Sequence, residues 1–160
     1  MDDARVRFPV KTGIPDVSLV ISHATRMTIN KTQNMALKPA SAILIKAGRG
    51  KKRENSAQNM WVYEGQRLIG AGGRIRKGVF VTVMFIDERG GAITLNNEVT
   101  LSYEQCGCLR LAHAITYASC QGLTLQGRVR LCETSHPAFT TKHLYVGSSR
   151  CTGAALLEVC

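Results

Sequence analysis

The 160-residue chain has the length of one ordinary domain, and its 44% hydrophobic content is enough for a core. Its formal net charge of +10, from 21 Lys and Arg against 11 Asp and Glu, favours a polyanionic partner such as nucleic acid. The apolar runs are too short for a membrane span, and the amino terminus lacks the pattern of a secretory leader. We therefore expect an intracellular protein with no membrane partner.

The first part of the chain predicts one strand and one helix. Residues 1–16 carry mixed charges with proline and glycine, which indicates an irregular segment. The apolar run at 17–22 predicts a buried strand, and residues 25–37 predict a helix that ends before Pro39. Arg26, on this helix, is expected to be a solvated residue of its exposed face.

A positively charged segment follows a second short apolar run at 41–45. Residues 47–59 contain the densest positive cluster in the chain: Arg49, Lys51, Lys52 and Arg53. Such a cluster fits either a flexible solvated loop or a mobile arm that contacts phosphates. Both interpretations stay open at this point.

Short strands separated by turns predict a small antiparallel barrel in the next segment. The β-prone runs lie at 61–68, 79–86, 93–95 and 99–101. Three cations between the first two runs are candidates for phosphate contacts: Arg74, Arg76 and Lys77. Four aromatic residues can either stack on bases or fill the barrel core, and we expect the core: Trp61, Tyr63, Phe80 and Phe85.

The last third of the chain predicts an α/β unit with a largely parallel sheet. The apolar run 109–115 predicts a buried strand that leads into a short helix stopped by Gly122. Strands are expected at 129–132 and 155–159, and a helix capped by Thr140 or Thr141 is expected to reach about Arg150. Polar residues after the first strand would lie at the carboxyl edge of the sheet, where ligands bind.

The six cysteines do not form a recognisable metal-binding pattern. Cys106 and Cys108 are separated by one residue, and no second pair at zinc-ribbon spacing accompanies them. Reduced thiols in a reducing compartment are the expectation. A zinc site that uses both thiols and His113 is the disfavoured alternative.

Three stretches carry a resemblance to a known family: Ala-Ile-Thr at 114–116, Cys-Gln-Gly-Leu-Thr at 120–124 and Leu-Tyr-Val-Gly-Ser-Ser-Arg at 144–150. Together they resemble motifs V and VI of superfamily 1 helicases of the RecD-like and UvrD-like kind. The resemblance implies a second RecA-like domain, with the parallel sheet of P-loop NTPases, at 17–40 and 109–160. It also implies that residues 41–108 are an inserted small β-barrel, preceded by the irregular segment 1–16.

The resemblance also implies site residues. Arg150 would act as the catalytic arginine that senses the γ-phosphate, although an arginine at a helix end can also offset the helix dipole. The residues implied to contact nucleotide are Gln121, Gly122, Thr124 and Gly147. Thr116 and Ser119 would contact the nucleic-acid backbone, or else cap a short helix. The family commonly has His-Lys where this chain has Ala118-Ser119, which weakens any phosphate contact there.

The chain contains no G-x-x-x-x-G-K-[ST] loop, and we expect no acidic Mg²⁺-binding strand of the Walker B kind. ATP and Mg²⁺ would therefore be bound mainly by a first RecA-like domain that this chain lacks, supplied in cis or in trans. The implied function is the carboxyl-terminal motor half of an ATP-dependent helicase on single-stranded DNA, with RNA possible, and no ATPase activity alone. The alternative is a stand-alone nucleic-acid-binding module or a vestigial fragment without ATPase activity.

Overall fold

The computed structural model describes residues 1–47 and 58–160, which divide into two compact units. Unit 1 comprises Met1–Ile29 and His113–Cys160, and unit 2 comprises the described part of Asn30–Ala112. The basic cluster at 49–53 lies outside the described residues. The helices and strands, in chain order, are α1 (Asp2–Arg7), β1 (Val17–Val20), α2 (His23–Leu37), β2 (Ile43–Ile45), β3 (Met60–Val62), β4 (Arg67–Gly70), β5 (Phe80–Asp87), β6 (Ala92–Leu95), β7 (Thr100–Ser102), β8 (Leu109–Leu111), β9 (Ala114–Thr116), β10 (Val129–Leu131), α3 (Thr141–Ser148) and β11 (Leu157–Val159).

Unit 1 is built on a four-stranded parallel sheet with the order β11-β10-β1-β9. Leu19 of β1 lies opposite Ile115 of β9 and Leu131 of β10, and Leu131 in turn lies opposite Val159 of β11. Every residue of β1, β9 and β11 is buried, as expected for parallel strands that are covered on both faces. The predicted parallel sheet and α/β class are confirmed.

Unit 2 is antiparallel. Strands β2 and β3 form a two-stranded sheet, and a five-stranded sheet has the order β7-β6-β5-β4-β8. Its inward side chains form a core that includes Leu68, Val81, Val83, Ile93 and Leu101, all of them at most 2% exposed. Within the described residues the sheet pairs in an open order, so the predicted small barrel is not confirmed.

Two predicted strands are wrong because each one joins segments that pair in different sheets. The run 109–115 consists of β8, where Leu111 pairs with Leu68, and β9, where Ala114 pairs with Ser18. The run 61–68 likewise divides into β3 and β4. An apolar pattern records burial but not the pairing partner, so a change of sheet within such a run leaves no periodic signal.

Three further expectations are corrected. A short helix, α1, occupies residues that were predicted to be irregular. Residues after Thr116 form turns instead of a helix, because the Thr116 hydroxyl accepts from the Ser119 amide and so competes with helical bonding. The four aromatics predicted in the core are not fully buried: Trp61, Tyr63 and Phe80 are half-buried, and Phe85 is 57% exposed.

Among the helices of the described residues, none combines the length and the apolar character needed to cross a lipid bilayer.

Candidate functional site

The carboxyl edge of the parallel sheet positions the candidate site in unit 1. Strand β9 runs directly into the segment 117–125, β1 leads into α2, and β10 is followed by Cys132 and Glu133. Because all four strands are parallel, these segments leave the sheet at the same edge. This is the edge at which open α/β sheets bind their ligands.

Thr116 and Ser119 form a hydrogen-bonded turn at the end of β9. Their hydroxyl oxygens lie 2.8 Å apart, and the Ser119 amide donates to Thr116 Oγ1 at 3.2 Å. Thr116 is only 4% exposed, and its hydroxyl is engaged inside the turn. The geometry therefore gives Thr116 a turn-forming role, while contact of Thr116 and Ser119 with a nucleic-acid backbone stays a prediction.

The next residues form an exposed loop. Gln121, Gly122 and Thr124 are all exposed, and Gly122 has a φ of +79°, a left-handed conformation that favours glycine. The loop returns to the unit at Leu125, which is fully buried and whose amide donates to the Arg150 carbonyl at 2.8 Å. We call residues 121–124 the edge loop. Three of the four predicted nucleotide-contacting residues thus lie together on one accessible loop.

Arg150 lies against this edge loop. Helix α3 ends at Ser148, so Arg150 is two residues beyond the helix and not in its last turn. Its Nη1 donates to the Leu123 carbonyl at 3.4 Å, and its Nε and Nη2 donate to Ser149 Oγ at 3.2 and 3.1 Å. Within residues 1–47 and 58–160, no carboxylate forms an ion pair with Arg150. The guanidinium keeps an uncompensated positive charge beside the edge loop.

Gly147 has a packing role in this structure. It is buried, and a Cβ atom on it would lie 2.5 Å from Leu131 Cδ2 and 3.3 Å from Tyr117 Cε1. Only glycine lets α3 approach the sheet this closely. The predicted nucleotide contact of Gly147 stays a prediction, because packing alone explains the residue.

The three cations predicted to contact phosphate belong to unit 2. The loop between β4 and β5 exposes all three side chains: Arg74, Arg76 and Lys77. An isolated antiparallel β-bridge joins Gly72 and Ile75 within this loop. We call this segment, residues 71–79, the basic loop. The predicted site residues thus lie in both units. Arg150 and the edge loop belong to unit 1, and the basic loop belongs to unit 2.

Glu133 is a residue of this edge that the sequence analysis missed. Its backbone φ is +58°, and its Oε2 accepts hydrogen bonds from the amides of Ile21 at 2.6 Å and Ser22 at 3.1 Å. Its Oε1 accepts from the Thr25 hydroxyl at 2.7 Å. The carboxylate thus occupies the amino-terminal end of α2. Nothing in the sequence signals this role, because it depends on β10 lying next to β1.

Hydrogen bonding sets the pKa of this carboxyl. Burial alone raises the pKa of Glu133, but the hydrogen bonds from Thr25, Ser22 and Ile21 outweigh burial, and the net result is a pKa below the ordinary value of 4.5. Arg26, in the first turns of the same helix, is only 6% exposed. The expectation that Arg26 is solvated is therefore wrong, because this face of α2 lies inside the protein.

A Glu133→Gln variant is expected to be less stable by about 1–2 kcal/mol near neutral pH, since it loses charge-assisted hydrogen bonds. A carboxyl whose pKa is lower in the folded than in the unfolded state stabilises the fold above its unfolded pKa. This stabilisation is lost as the pH falls through the lower, folded-state pKa, so the stabilities of the two proteins should converge in acid, below that pKa. Urea unfolding at several pH values measures the difference.

Glu98 supplies the matched control, because it is exposed and has a similar backbone φ of +65°. Glu98→Gln should unfold like the wild type at every pH. A Glu133→Gln defect that persists undiminished in acid would contradict the hydrogen-bonding account.

The cysteines give no metal site in the described part of the chain. All six thiols are free, and no group of three His, Cys, Asp or Glu side chains there is arranged to hold a metal ion. The alternative of a zinc site at Cys106, Cys108 and His113 gains no support from the structure.

No family model and no curated protein sequence matches this chain. Solved structures, however, share the fold of nearly the whole of this chain, and the proteins in them are helicases. The fold is that of a part of the Pif1 helicases, which are members of superfamily 1. The resemblance to superfamily 1 is confirmed at the level of the fold.

Three of these structures illustrate the match. The Candida albicans Pif1 helicase has a TM-score of 0.65 at 16% identity, over 99% of this chain and 48% of that chain. Bacteroides Pif1 bound to ssDNA has a TM-score of 0.65 at 17% identity, over 99% and 44%. The Bacteroides enzyme in complex with ADP-AlF3 and ssDNA has a TM-score of 0.66 at 16% identity, over 98% and 43%. This chain therefore spans less than half the length of each of these helicases.

Proposed function

We propose that this chain is the second motor domain of a superfamily 1 helicase, working inside the cell with a first RecA-like domain in cis or in trans. That partner would bind most of the ATP and its Mg²⁺, and the pair would move along single-stranded DNA, with RNA as a possible track. In this proposal residues 17–40 and 109–160 are the RecA-like domain, and residues 41–108 are an insertion in it.

One observation carries the nucleotide half of the proposal. The Arg150 guanidinium lies against the Leu123 carbonyl, beside the exposed edge loop, and pairs with no carboxylate in the described part of the chain. An uncompensated guanidinium next to exposed amide and hydroxyl groups fits an anionic nucleotide. Arg150 would neutralise charge on the γ-phosphate, while Gln121, Gly122 and Thr124 would contact the nucleotide from the edge loop.

The bound nucleotide would supply the phosphoryl group whose transfer releases energy, and Mg²⁺ would be held by the first domain. The residues of this chain would position the nucleotide and stabilise the charge on the phosphoryl group during transfer. A planar guanidinium donates two parallel hydrogen bonds to phosphate oxygens, and such arginines accelerate phosphoryl transfer strongly. Leu125, the residue directly after the edge loop, donates its amide to the Arg150 carbonyl. A movement of Arg150 would therefore also displace the edge loop.

The nucleic-acid half of the proposal concerns the basic loop. Replacing Arg74, Arg76 and Lys77 together by alanine is expected to weaken binding of a single-stranded oligonucleotide and to flatten its salt dependence. Each neutralised phosphate contributes about −0.7 to the slope of log affinity against log salt, so losing three contacts reduces the slope by about 2. Fluorescence anisotropy across a salt series measures both quantities.

Arg89 is the control for this variant, because it is exposed in the turn at the other end of β5. Arg89→Ala should leave the slope almost unchanged. An unchanged slope in the triple variant, with normal folding by circular dichroism, would remove the basic loop from the proposal without affecting Arg150.

A second candidate function is a stand-alone nucleic-acid-binding module, and the surface aromatics of unit 2 favour it. The Arg67 guanidinium lies 4.7 Å from the centre of the Phe80 ring, and Lys38 Nζ lies 4.2 Å from that of Trp61. Phe85 is 57% exposed. Aromatic rings beside cations hold single strands by stacking and by charge, without sequence preference. Strong binding of a single-stranded oligonucleotide by the chain alone, together with unchanged binding in an Arg150→Ala variant, would favour this function.

A further inference from the structure

Two cysteines lie side by side at the carboxyl edge of the parallel sheet. Leu131 of β10 pairs in register with Val159 of β11, so Cys132 and Cys160 follow at neighbouring positions. The Cys160 amide donates to the Leu131 carbonyl at 3.0 Å, which continues the ladder to this pair. Neighbouring strands lie about 4.8 Å apart, within the range of Cα separations that a disulfide can bridge.

The two thiols also influence each other's pKa, and they differ in acidity. The Cys160 thiol donates to the Leu131 carbonyl at 3.2 Å, and the neighbouring Cys132 thiol is the largest influence on the pKa of Cys160. With the charges of Arg130 and Arg5 it outweighs burial and lowers the pKa of Cys160 to about 7. The influence of Cys160, followed by burial, raises the pKa of Cys132. Near neutral pH a large fraction of the accessible Cys160 is therefore a thiolate, beside a Cys132 thiol that still carries its proton.

The other cysteines with a shifted pKa show the opposite behaviour. Burial is the main cause that raises the pKa of Cys120 and of Cys151 to about 11, and that of Cys106 to about 12. Cys120 is 0% exposed and Cys106 is 1% exposed, whereas Cys160 is exposed. Reaction with an oxidant requires a thiolate and access, and Cys160 has both.

We propose that Cys160 and Cys132 form a dithiol site that reacts with hydroperoxides and closes to a disulfide. The Cys160 thiolate attacks one peroxide oxygen, the O–O bond breaks, and the other oxygen leaves and takes up a proton. Cys160 becomes a sulfenic acid. The Cys132 sulfur then attacks the Cys160 sulfur, the S–S bond forms, and the hydroxyl leaves with the Cys132 proton as water. The two thiols lose two electrons and the peroxide gains them.

The site has a defined place in the fold. The new bond would join the carboxyl ends of β10 and β11, next to Glu133, whose carboxylate holds the start of α2. The Thr134 hydroxyl donates to the Cys160 carbonyl, which fixes the Cys160 backbone near the strand end. The inference does not depend on the helicase proposal, because it uses neither Arg150 nor the edge loop.

The test treats the reduced 160-residue chain with hydrogen peroxide, quenches with catalase, alkylates the remaining thiols and digests with trypsin without reduction. Cleavage after Arg130, Lys142 and Arg150 releases peptides 131–142 and 151–160, of which the first contains Cys132 as its one cysteine. We expect these peptides to be linked by a bond that dithiothreitol cleaves, and fragmentation to place it at Cys160. Alkylation of reduced Cys160 by iodoacetamide should rise to half its maximal rate near pH 7.

Two variants distinguish this pair from other thiols. Cys151→Ser should keep the linked peptides, while Cys160→Ser should lose them and leave Cys132 open to alkylation. The proposal is overturned if wild-type Cys160 is oxidised without a link to Cys132, or if the linked peptides vanish in Cys151→Ser. It is also overturned if alkylation of Cys160 requires the same high pH as that of Cys151.

Discussion

An Arg150→Ala variant, joined to a first motor domain that carries the phosphate-binding loop, is expected to hydrolyse ATP about a thousand-fold more slowly than the wild type. The reason is electrostatic. The guanidinium lies beside the edge loop without a carboxylate partner in the described residues, so its charge is available to the phosphoryl group in the transition state. Steady-state ATPase rates at saturating single-stranded DNA measure the effect on kcat.

The controls separate charge, geometry and folding. Arg150→Lys keeps a positive charge but loses the two-pronged donor, so it should recover only part of the rate. Lys142→Ala removes an exposed cation from the first turn of α3 and should change the rate little. The 160-residue chain by itself should show no turnover, since it lacks the phosphate-binding loop. Unchanged ATP turnover in Arg150→Ala would contradict the proposal of a helicase motor domain and favour the stand-alone nucleic-acid-binding module.

A Glu158→Ala variant is expected to lose about 3 kcal/mol of unfolding free energy, with a Tm lower by about 10 °C. Glu158 is 0% exposed in β11, and its Oε2 accepts from Arg130 Nε at 2.8 Å. Its Oε1 lies 3.3 Å from Arg128 Nη1. Removing the carboxylate leaves two part-buried cations without their counter-charge, which costs more than the pair itself contributes.

The loss should also reach the amino-terminal segment. The Arg128 guanidinium donates to the carbonyls of Thr12 at 2.9 Å and Ile14 at 2.7 Å. Arg130 donates to the carbonyls of Lys11 at 3.1 Å and Gly13 at 3.2 Å. Glu158 thus orients two arginines that hold residues 11–14 against the sheet, and limited proteolysis should cut this segment faster in Glu158→Ala.

Glu104→Ala is the control for stability, because Glu104 is an exposed acid in the short 3-10 helix before β8. Its unfolding free energy should stay within about 0.5 kcal/mol of the wild type. Thermal and urea unfolding compare the two variants. A Glu158→Ala protein as stable as Glu104→Ala would mean that the buried ion cluster contributes no net stability.

The parts of the fold that were predicted correctly rest on short-range patterns. The apolar run at β1 and the cap at Thr140 that starts α3 are signals within a few residues of the element itself. The motif residues likewise lie in short runs of consecutive positions. The structure places Gln121, Gly122 and Thr124 on one exposed loop and Arg150 against it.

Errors arose where the outcome depends on pairing over long distances. The change of sheet between Leu111 and Ala114 follows from different partners, Leu68 and Ser18, which the run of apolar residues does not encode. The aromatics of unit 2 are expected in a core, but aliphatic and sulfur-containing side chains fill it, while Phe80 is half-buried and Phe85 is exposed. Aromatic content alone does not tell which face of a strand is covered.

The amino-acid sequence by itself determined the positive charge, the α/β class, the main helices and the motif residues, because these follow from composition and from local side-chain and backbone preferences. The tertiary structure alone decided the contact of Glu133 with α2, the burial of Glu158 between two arginines and the meeting of Cys132 with Cys160. Each of these depends on strand order and register in the parallel sheet. Register brings together residues such as Cys132 and Cys160 that are far apart along the chain, and no local preference specifies it.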